Sequence, residues 1–325
     1  MTAWEVYAHE LSSEARGYFD VDQVGMCYPE PEGDPGRYAL KARAAVALVR
    51  RFANAGARTV VVSGVVDEES LTRIVEAVDP VQVTFCRVRV NTDELRRRLE
   101  RRYGPDDVAR ALTAAQEWDR YGTTHAVVDT GEGDPGLAAR RVVEAVRRAA
   151  PSVPSATRQA SLTSGPASPG VGRAVLQQLG FLADLPDHAP SRHRVVAGAV
   201  ADLWRQYRSV GARDLVLTGR VEHPDDVHVY RDALGATPLL VCRLQADAQR
   251  LRERVLARTR GGGPALAGAA LVGLSTGEAE TVRQRALAQQ SRLQKVELSD
   301  FVLDTAGQSP GMSTQLLAAE WGHSR

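Results

Sequence analysis

The 325-residue sequence is nearly free of lysine: of its 41 basic residues only Lys41 and Lys295 are lysines, and the rest are arginines. Cysteine is scarce as well. Cys27, Cys86 and Cys242 are too few and too scattered for a disulfide framework or a zinc site. No apolar run approaches the roughly 18 residues that a membrane span needs. The opening stretch MTAWEVYAHELSSEARG lacks the basic region and apolar core of a signal peptide, so a cytoplasmic setting without a membrane partner is expected. Charge of one sign is missing too: 41 basic against 40 acidic residues leave +1, which argues against a dedicated nucleic-acid binder. The seven histidines, His125 among them, show no metal-ligand spacing.

What the sequence does have is self-similarity, the first thing to look for in a chain of this length. The segment RYALKARAAVALVRRFANAGARTVVVSGVVD, from Arg37, aligns without a gap on RHRVVAGAVADLWRQYRSVGARDLVLTGRVE, from Arg192. Arg50 matches Arg205, Phe52 matches Tyr207, Gly56-Ala57-Arg58 matches Gly211-Ala212-Arg213, and Gly64 matches Gly219. After a one-residue shift, Cys86, Arg87, Leu95, Arg98 and Arg102 match Cys242, Arg243, Leu251, Arg254 and Arg258. A third block pairs Val127-Val128-Asp129-Thr130 with Val302-Leu303-Asp304-Thr305. Two copies of one module follow, residues 1–149 and 161–325, separated by an Ala/Ser/Pro-rich linker at 150–160. The second copy carries a Gly-rich insertion from Arg260 to Glu278 that is expected to be mobile.

Within each copy the pattern alternates between strand and helix. In the first, helical spacing covers 3–15, a strand ends at Asp20-Val21, and a long helix spans 38–55 up to a C-terminal Gly56. Thr59–Ser63 is an unbroken β-branched run, which predicts a strand buried on both faces. A helix at 68–77, a strand at 82–89, an arginine-rich helix at 91–102, a strand at 125–129 and a helix at 135–149 complete the copy. This alternation predicts an α/β fold, a parallel sheet covered by helices on both sides. Ligands of such sheets bind beyond the carboxyl ends of the strands, where this sequence places Asp20/Asp22, Ser63-Gly64 and Asp129-Thr130. Cys86, Cys242, Trp4 and Trp204 lie in apolar patterns and read as core.

GYFDVDQVG at 17–25 resembles the strand-end Asp-x-Asp segment of the shikimate, gluconate and adenylylsulfate kinase group of P-loop phosphotransferases. Leu95-x-x-Arg98-x-x-x-Arg102 resembles the lid helix of that group, and Val128-Asp129-Thr130 its last strand, before the loop that holds the adenine. A tandem pair of such modules also resembles a family of actinobacterial P-loop proteins. The resemblance covers most of each copy. It implies two tandem P-loop NTPase-type modules, ATP with Mg²⁺ as cofactor, and a small-molecule phosphoryl acceptor. Asp20 and Asp22 would then serve the acceptor, with Asp22 on the metal; Arg98 and Arg102 would cover the phosphates, and Asp129 and Thr130 would border the base.

The sequence departs from that pattern where the pattern is most specific. A working phosphate loop needs Gly-Lys-Ser/Thr, and neither lysine here stands in one. In the second copy GPASPGVGRA keeps Gly170 and Gly172, but Arg173 stands at the lysine position and Ala174 at that of the magnesium-binding hydroxyl. That copy also lacks paired carboxylates, offering only Asp184 or Asp187. In the family layout Thr2-Ala3-Trp4-Glu5 falls inside the helix after the loop, so the strand and loop that precede it are absent from the first module. Either the coding start is set downstream of the true one, or that module has lost its loop. Three functional expectations follow: an ATP-dependent phosphotransferase, a catalytically inactive scaffold of pseudokinase type, or a homodimer in which Arg173 and Asp22 of two chains complete one site.

Overall fold

The computed structural model describes residues 2–10, 15–65, 67–78, 81–100, 105–120, 126–131, 134–149, 173–176, 182–184, 191–260, 271 and 273–323. Their contacts gather into two compact units, Met1–Gly219 and Arg220–Arg325, so the boundary between units is not the boundary between repeats. Linker 150–160 and most of the 260–278 insertion lie outside the described residues.

The first unit opens with α1 (Thr2–Glu5), which widens into a π turn over Val6–Glu10. β1 (Arg16–Asp20) runs straight into the one-turn α2 (Val21–Val24), followed by β2 (Cys27–Tyr28). Next come α3 (Tyr38–Asn54), β3 (Thr59–Ser63), α4 (Glu68–Val78) and β4 (Cys86–Arg89). α5 (Thr92–Glu100), α6 (Pro105–Trp118), β5 (Ala126–Asp129) and α7 (Pro135–Arg148) close the first repeat. β6 (Arg173–Leu176), β7 (Leu182–Asp184), α8 (Arg192–Ser209) and β8 (Asp214–Leu217) belong to the second repeat but to the same unit. The second unit holds α9 (Pro224–Leu234), β9 (Cys242–Gln245), α10 (Ala248–Thr259), α11 (Thr276–Gln294), β10 (Phe301–Asp304) and α12 (Pro310–His323). Among the described residues no helix is long and apolar enough to cross a membrane.

The core of the first unit is built on α3 and α8, the two repeat-equivalent helices, which pack against each other. On α3, Lys41, Ala45, Leu48 and Phe52 recur at helical spacing and all are buried. The carboxylate of Asp34 starts the helix by accepting from the backbone N–H groups of Ala39 and Leu40, both at 2.9 Å. Gly56, at φ 97°, ends it, with Ala57 N–H donating to the Phe52 carbonyl at 2.9 Å. α8 ends the same way: Gly211 has φ 90°, and Ala212 N–H reaches the Tyr207 carbonyl at 3.0 Å. Between the helices, Arg51 Nε donates to Asp202 Oδ2 at 2.8 Å, and Arg205 binds the other oxygen of this buried carboxylate.

Strand pairing repeats faithfully. β1 runs parallel to β3 and β6 parallel to β8. β4 runs parallel to β5 with Cys86 opposite Ala126, and β9 parallel to β10 with Cys242 opposite Phe301, the same register in both copies. The repeated Cys-Arg pair has a structural explanation: Arg87 donates to the Ala115 carbonyl near the end of α6 at 3.0 Å, and Arg243 donates to the Leu293 carbonyl near the end of α11.

Two expectations are corrected here. Among the described residues the strands of each copy do not form one continuous parallel sheet but fall into four short sheets, ordered β3-β1-β7, β2-β6-β8, β4-β5 and β10-β9. β3 is also not buried on both faces, since Val62 is 41% exposed and no residue of the strand is fully buried. A β-branched run favours extended backbone whichever face is covered, so composition alone could not settle burial. The sequence also concealed that each repeat lends a strand to the other. β2 pairs antiparallel with β6, and β7 pairs antiparallel with β1.

Candidate active site

β1 and β3 end side by side, with Asp20 opposite Ser63. Asp20 caps α2: its Oδ1 accepts from the backbone N–H groups of Asp22 at 2.8 Å and Gln23 at 3.3 Å. Its Oδ2 accepts from Ser63 Oγ at 2.9 Å, and Tyr18 Oη lies 3.0 Å from that hydroxyl. An ionised carboxylate only accepts, so Ser63 spends its proton on Asp20 and Tyr18 donates to Ser63. Burial pushes the Tyr18 phenol up against the lowering effect of its hydrogen bond with Ser63, and the charge of Asp20 adds to the rise, which favours the donating form.

Asp22 projects from the first turn of α2. Lys41 Nζ donates to its Oδ1 at 2.7 Å, and Val65 N–H donates to its Oδ2 at 3.3 Å. The lysine side chain is 7% exposed and the aspartate 48%, so the pair has one wet end. Lys41 Nζ also lies 3.4 Å from the Val65 carbonyl and 5.1 Å from the centroid of the Tyr38 ring. The Tyr38 phenol is held up first by burial and then by the charges of Asp67, Asp22, Glu30 and Glu117. Gly64 closes the cluster at φ +125°; a Cβ there would stand 2.4 Å from Val21 Cγ2 and 3.3 Å from Asp22 Oδ2.

Lys41 is the residue that sequence reasoning missed. The signal was present: it shares a buried stripe with Ala45, Leu48 and Phe52, and the aligned second copy has Val196 in its place. A lysine where a duplicate folds with valine is not there to pack the core. Burying an ammonium costs stability that its partner only offsets. Lys41→Val is therefore expected to leave the unfolding free energy within about 1 kcal/mol of the parent. Asp22→Asn strands the ammonium and is expected to cost about 1–3 kcal/mol, less than breaking a fully buried pair because Asp22 is half exposed. Urea unfolding of both variants checks this; a larger loss for the valine variant would overturn it.

The other expected site residues lie elsewhere. Arg98 donates through Nε to Glu94 at 2.8 Å, and Arg97 contacts the second oxygen of the same glutamate. Arg102 lies outside the described residues, as do Gly170, Gly172 and Asp187. Asp129 ends β5, in a separate sheet, and Thr130 is the residue after it. Thr130 N–H and Oγ1 both donate to the Arg89 carbonyl, at 2.8 and 3.0 Å, and Asp129 Oδ1 accepts from Gly131 N–H. Arg173, read at the junction of a loop and a helix, instead opens strand β6, where it pairs opposite Tyr28 and Asp214. Asp184 is no counterpart of Asp20, because β7 pairs with β1 while β6 occupies the place equivalent to β1.

A magnesium ion on Asp22 does not fit this arrangement. The ammonium of Lys41, 2.7 Å from Asp22 Oδ1, already neutralises that carboxylate and would repel a divalent cation there, while Asp20 accepts from three protein donors. Among the described residues no group of three or more His, Cys, Asp or Glu side chains could hold a metal. Burial also pushes the thiols of Cys27, Cys86 and Cys242 up, away from the reactive thiolate.

These features define an α/β protein with short parallel strand pairs and a buried-lysine, two-aspartate cluster at the carboxyl end of one pair. No protein-family model, curated protein or solved structure matches the chain.

Proposed function

We propose that the chain is a small-molecule phosphotransferase-like protein made of two P-loop kinase-type modules, with ATP as phosphoryl donor and a hydroxyl-bearing small molecule as acceptor. The observation supporting it is the cluster of Asp20, Asp22, Lys41 and Ser63 at the carboxyl ends of adjacent parallel strands. Phosphoryl transfer is chiefly positioning and charge stabilisation. Asp22, anchored by Lys41 yet exposed along one edge, accepts the hydrogen bond and then the proton of the acceptor hydroxyl. Asp20, held by three donors, fixes the turn that carries Asp22. In this reading Arg98 and Arg102 cover the phosphates and Asp129 and Thr130 border the base; no role falls to Arg173. Calorimetric titration of the full chain with ATP and magnesium tests it. Saturable heat at or below about 1 mM nucleotide is expected, and its weakening in Arg98→Ala. A flat titration would remove the reading.

One observation favours a second reading, a catalytically inactive scaffold: every oxygen of Asp20 and Asp22 already has a donor within the protein. A scaffold of this kind gives no heat with ATP and melts at one temperature with and without it.

A further inference from the structure

The first repeat's aspartate cluster is held from behind by the second repeat. Tyr207, on α8, is fully buried, and its hydroxyl donates to the Val24 carbonyl at 2.5 Å. Val24 ends α2, the single turn whose first residues carry Asp22, and it too is buried. The next residue, Gly25, is the bed for the lysine stem: a Cβ there would lie 2.5 Å from Lys41 Cγ and 3.2 Å from Cε. Both members of the ion pair thus rest on one five-residue segment, and its far end accepts from a hydroxyl of the other repeat.

The duplicate provides an internal control. The residue aligned with Tyr207 is Phe52, likewise fully buried at the last turn of the equivalent helix. Phenylalanine therefore satisfies packing at this helical position, and the extra oxygen on the second copy is left to be explained by what it touches. A buried phenol needs a partner, and this one takes the carbonyl at the end of the turn that carries Asp22. Burial pushes the phenol far above its ordinary range, which favours the protonated, donating form.

We infer that Tyr207 is a positioning residue for the candidate site: through the Val24 carbonyl it sets α2, and with it the contact between Asp22 and Lys41, so that the second repeat serves the first one's site. This rests on reading the Asp20–Asp22–Lys41 cluster as the working site, but its test needs no nucleotide and so can fail or succeed separately from that reading.

Having only two lysines makes the test direct. Lys41 is buried and ion-paired, whereas Lys295, at the end of α11, is exposed. Brief acetylation of the intact folded chain, read by peptide mass spectrometry as the ratio of Lys41 to Lys295 modification, reports the pair alone. In Tyr207→Phe the ratio is expected to rise about two- to tenfold, the range that the loss of one hydrogen bond allows. Asp22→Asn is expected to raise it as well, and the double variant to go no higher than Asp22→Asn, because both act through one contact. An unchanged ratio in a folded Tyr207→Phe, or additive effects in the double variant, would overturn the inference. So would a Tyr207→Phe chain that does not fold, since the hydroxyl would then serve the fold rather than the site.

Discussion

Replacing Phe52 with alanine is expected to cost about 3–5 kcal/mol, which is a large share of the roughly 5–15 kcal/mol that holds a domain folded. The ring is completely buried and fills the space over β1 at the one residue there with no side chain. A Cβ on Gly17 would stand 2.8 Å from Phe52 Cδ2, so the strand and helix approach more closely than any other residue would permit. The same ring lies 6.3 Å, centroid to centroid, from Phe19, tilted by 43°. Truncation removes the ring that packs on Gly17 and Phe19 of the strand ending in Asp20. The cost depends on how far the surrounding side chains can collapse into the cavity. Denaturant unfolding measures the loss, and a change below about 1 kcal/mol would mean that the ring does not hold the core together. Phe52→Tyr, which copies the second repeat, tests shape without deleting volume.

How much of this was legible beforehand depends on whether the information was local. α3, β3, α4 and α7 fall within a residue of their expected bounds, because a helical stripe, a β-branched run and a terminal glycine are written in neighbouring residues. The repeat was legible too, and the matching registers of β4–β5 and β9–β10 follow it. Strand partnership was not. β2 has two residues and β7 three, too short to show any alternation, and each finds its partner in the other repeat. For the same reason Arg173 was misplaced: a glycine-rich stretch before apolar residues reads equally well as the entry to a helix or to a strand. Within the candidate site, Asp20 and Asp22 read as alternate positions of one strand, but the strand stops at Asp20 and Asp22 stands in the first turn of α2. Lys41 was passed over because it was judged only as a member of a phosphate loop, not by the buried stripe on which it sits.

The repeats have also diverged where the sequence still looks alike. Arg98 and Arg254 align, but Arg98 is paired with Glu94, whereas Arg254 donates to Thr305 through two nitrogens, to Oγ1 at 3.0 Å and to the carbonyl at 2.7 Å. One residue accounts for the difference: the position of Glu94 is held by Arg250 in the second copy, and Arg250 donates in turn to the Ala306 carbonyl at 2.7 Å. In the second copy Arg254 thus holds the threonine of the strand-end Asp-Thr pair and Arg250 the residue after it, whereas the aligned arginine of the first copy is turned to Glu94. Together with Lys41 facing Val196, this concentrates the chemically versatile groups in the first repeat and fixed contacts in the second.

Cutting the chain between the repeats is expected to unfold the first of them. Expressed alone, residues 1–149 would lose β7 from the edge of β1 and β6 from its pairing with β2. They would also lose α8 from the face of α3, stranding Arg51 without Asp202 and the Val24 carbonyl without Tyr207. Apolar burial runs at about 1.5–3 kcal/mol for each large side chain. Exposing even a few of Val24, Leu40, Leu48 and Phe52, all essentially solvent-free in the intact chain, exceeds the margin of a domain this size. The expected result for 1–149 is circular dichroism and urea curves without a cooperative transition. Mixing it with 161–325 is expected to restore one, because the exchanged strands and the helix pair can form between separate pieces as they do within one chain. A first fragment that unfolds cooperatively by itself, at the denaturant midpoint of the whole protein, would show that the lent strands are ornament. The lysine test would then have nothing to act through, since the second repeat could no longer hold α2.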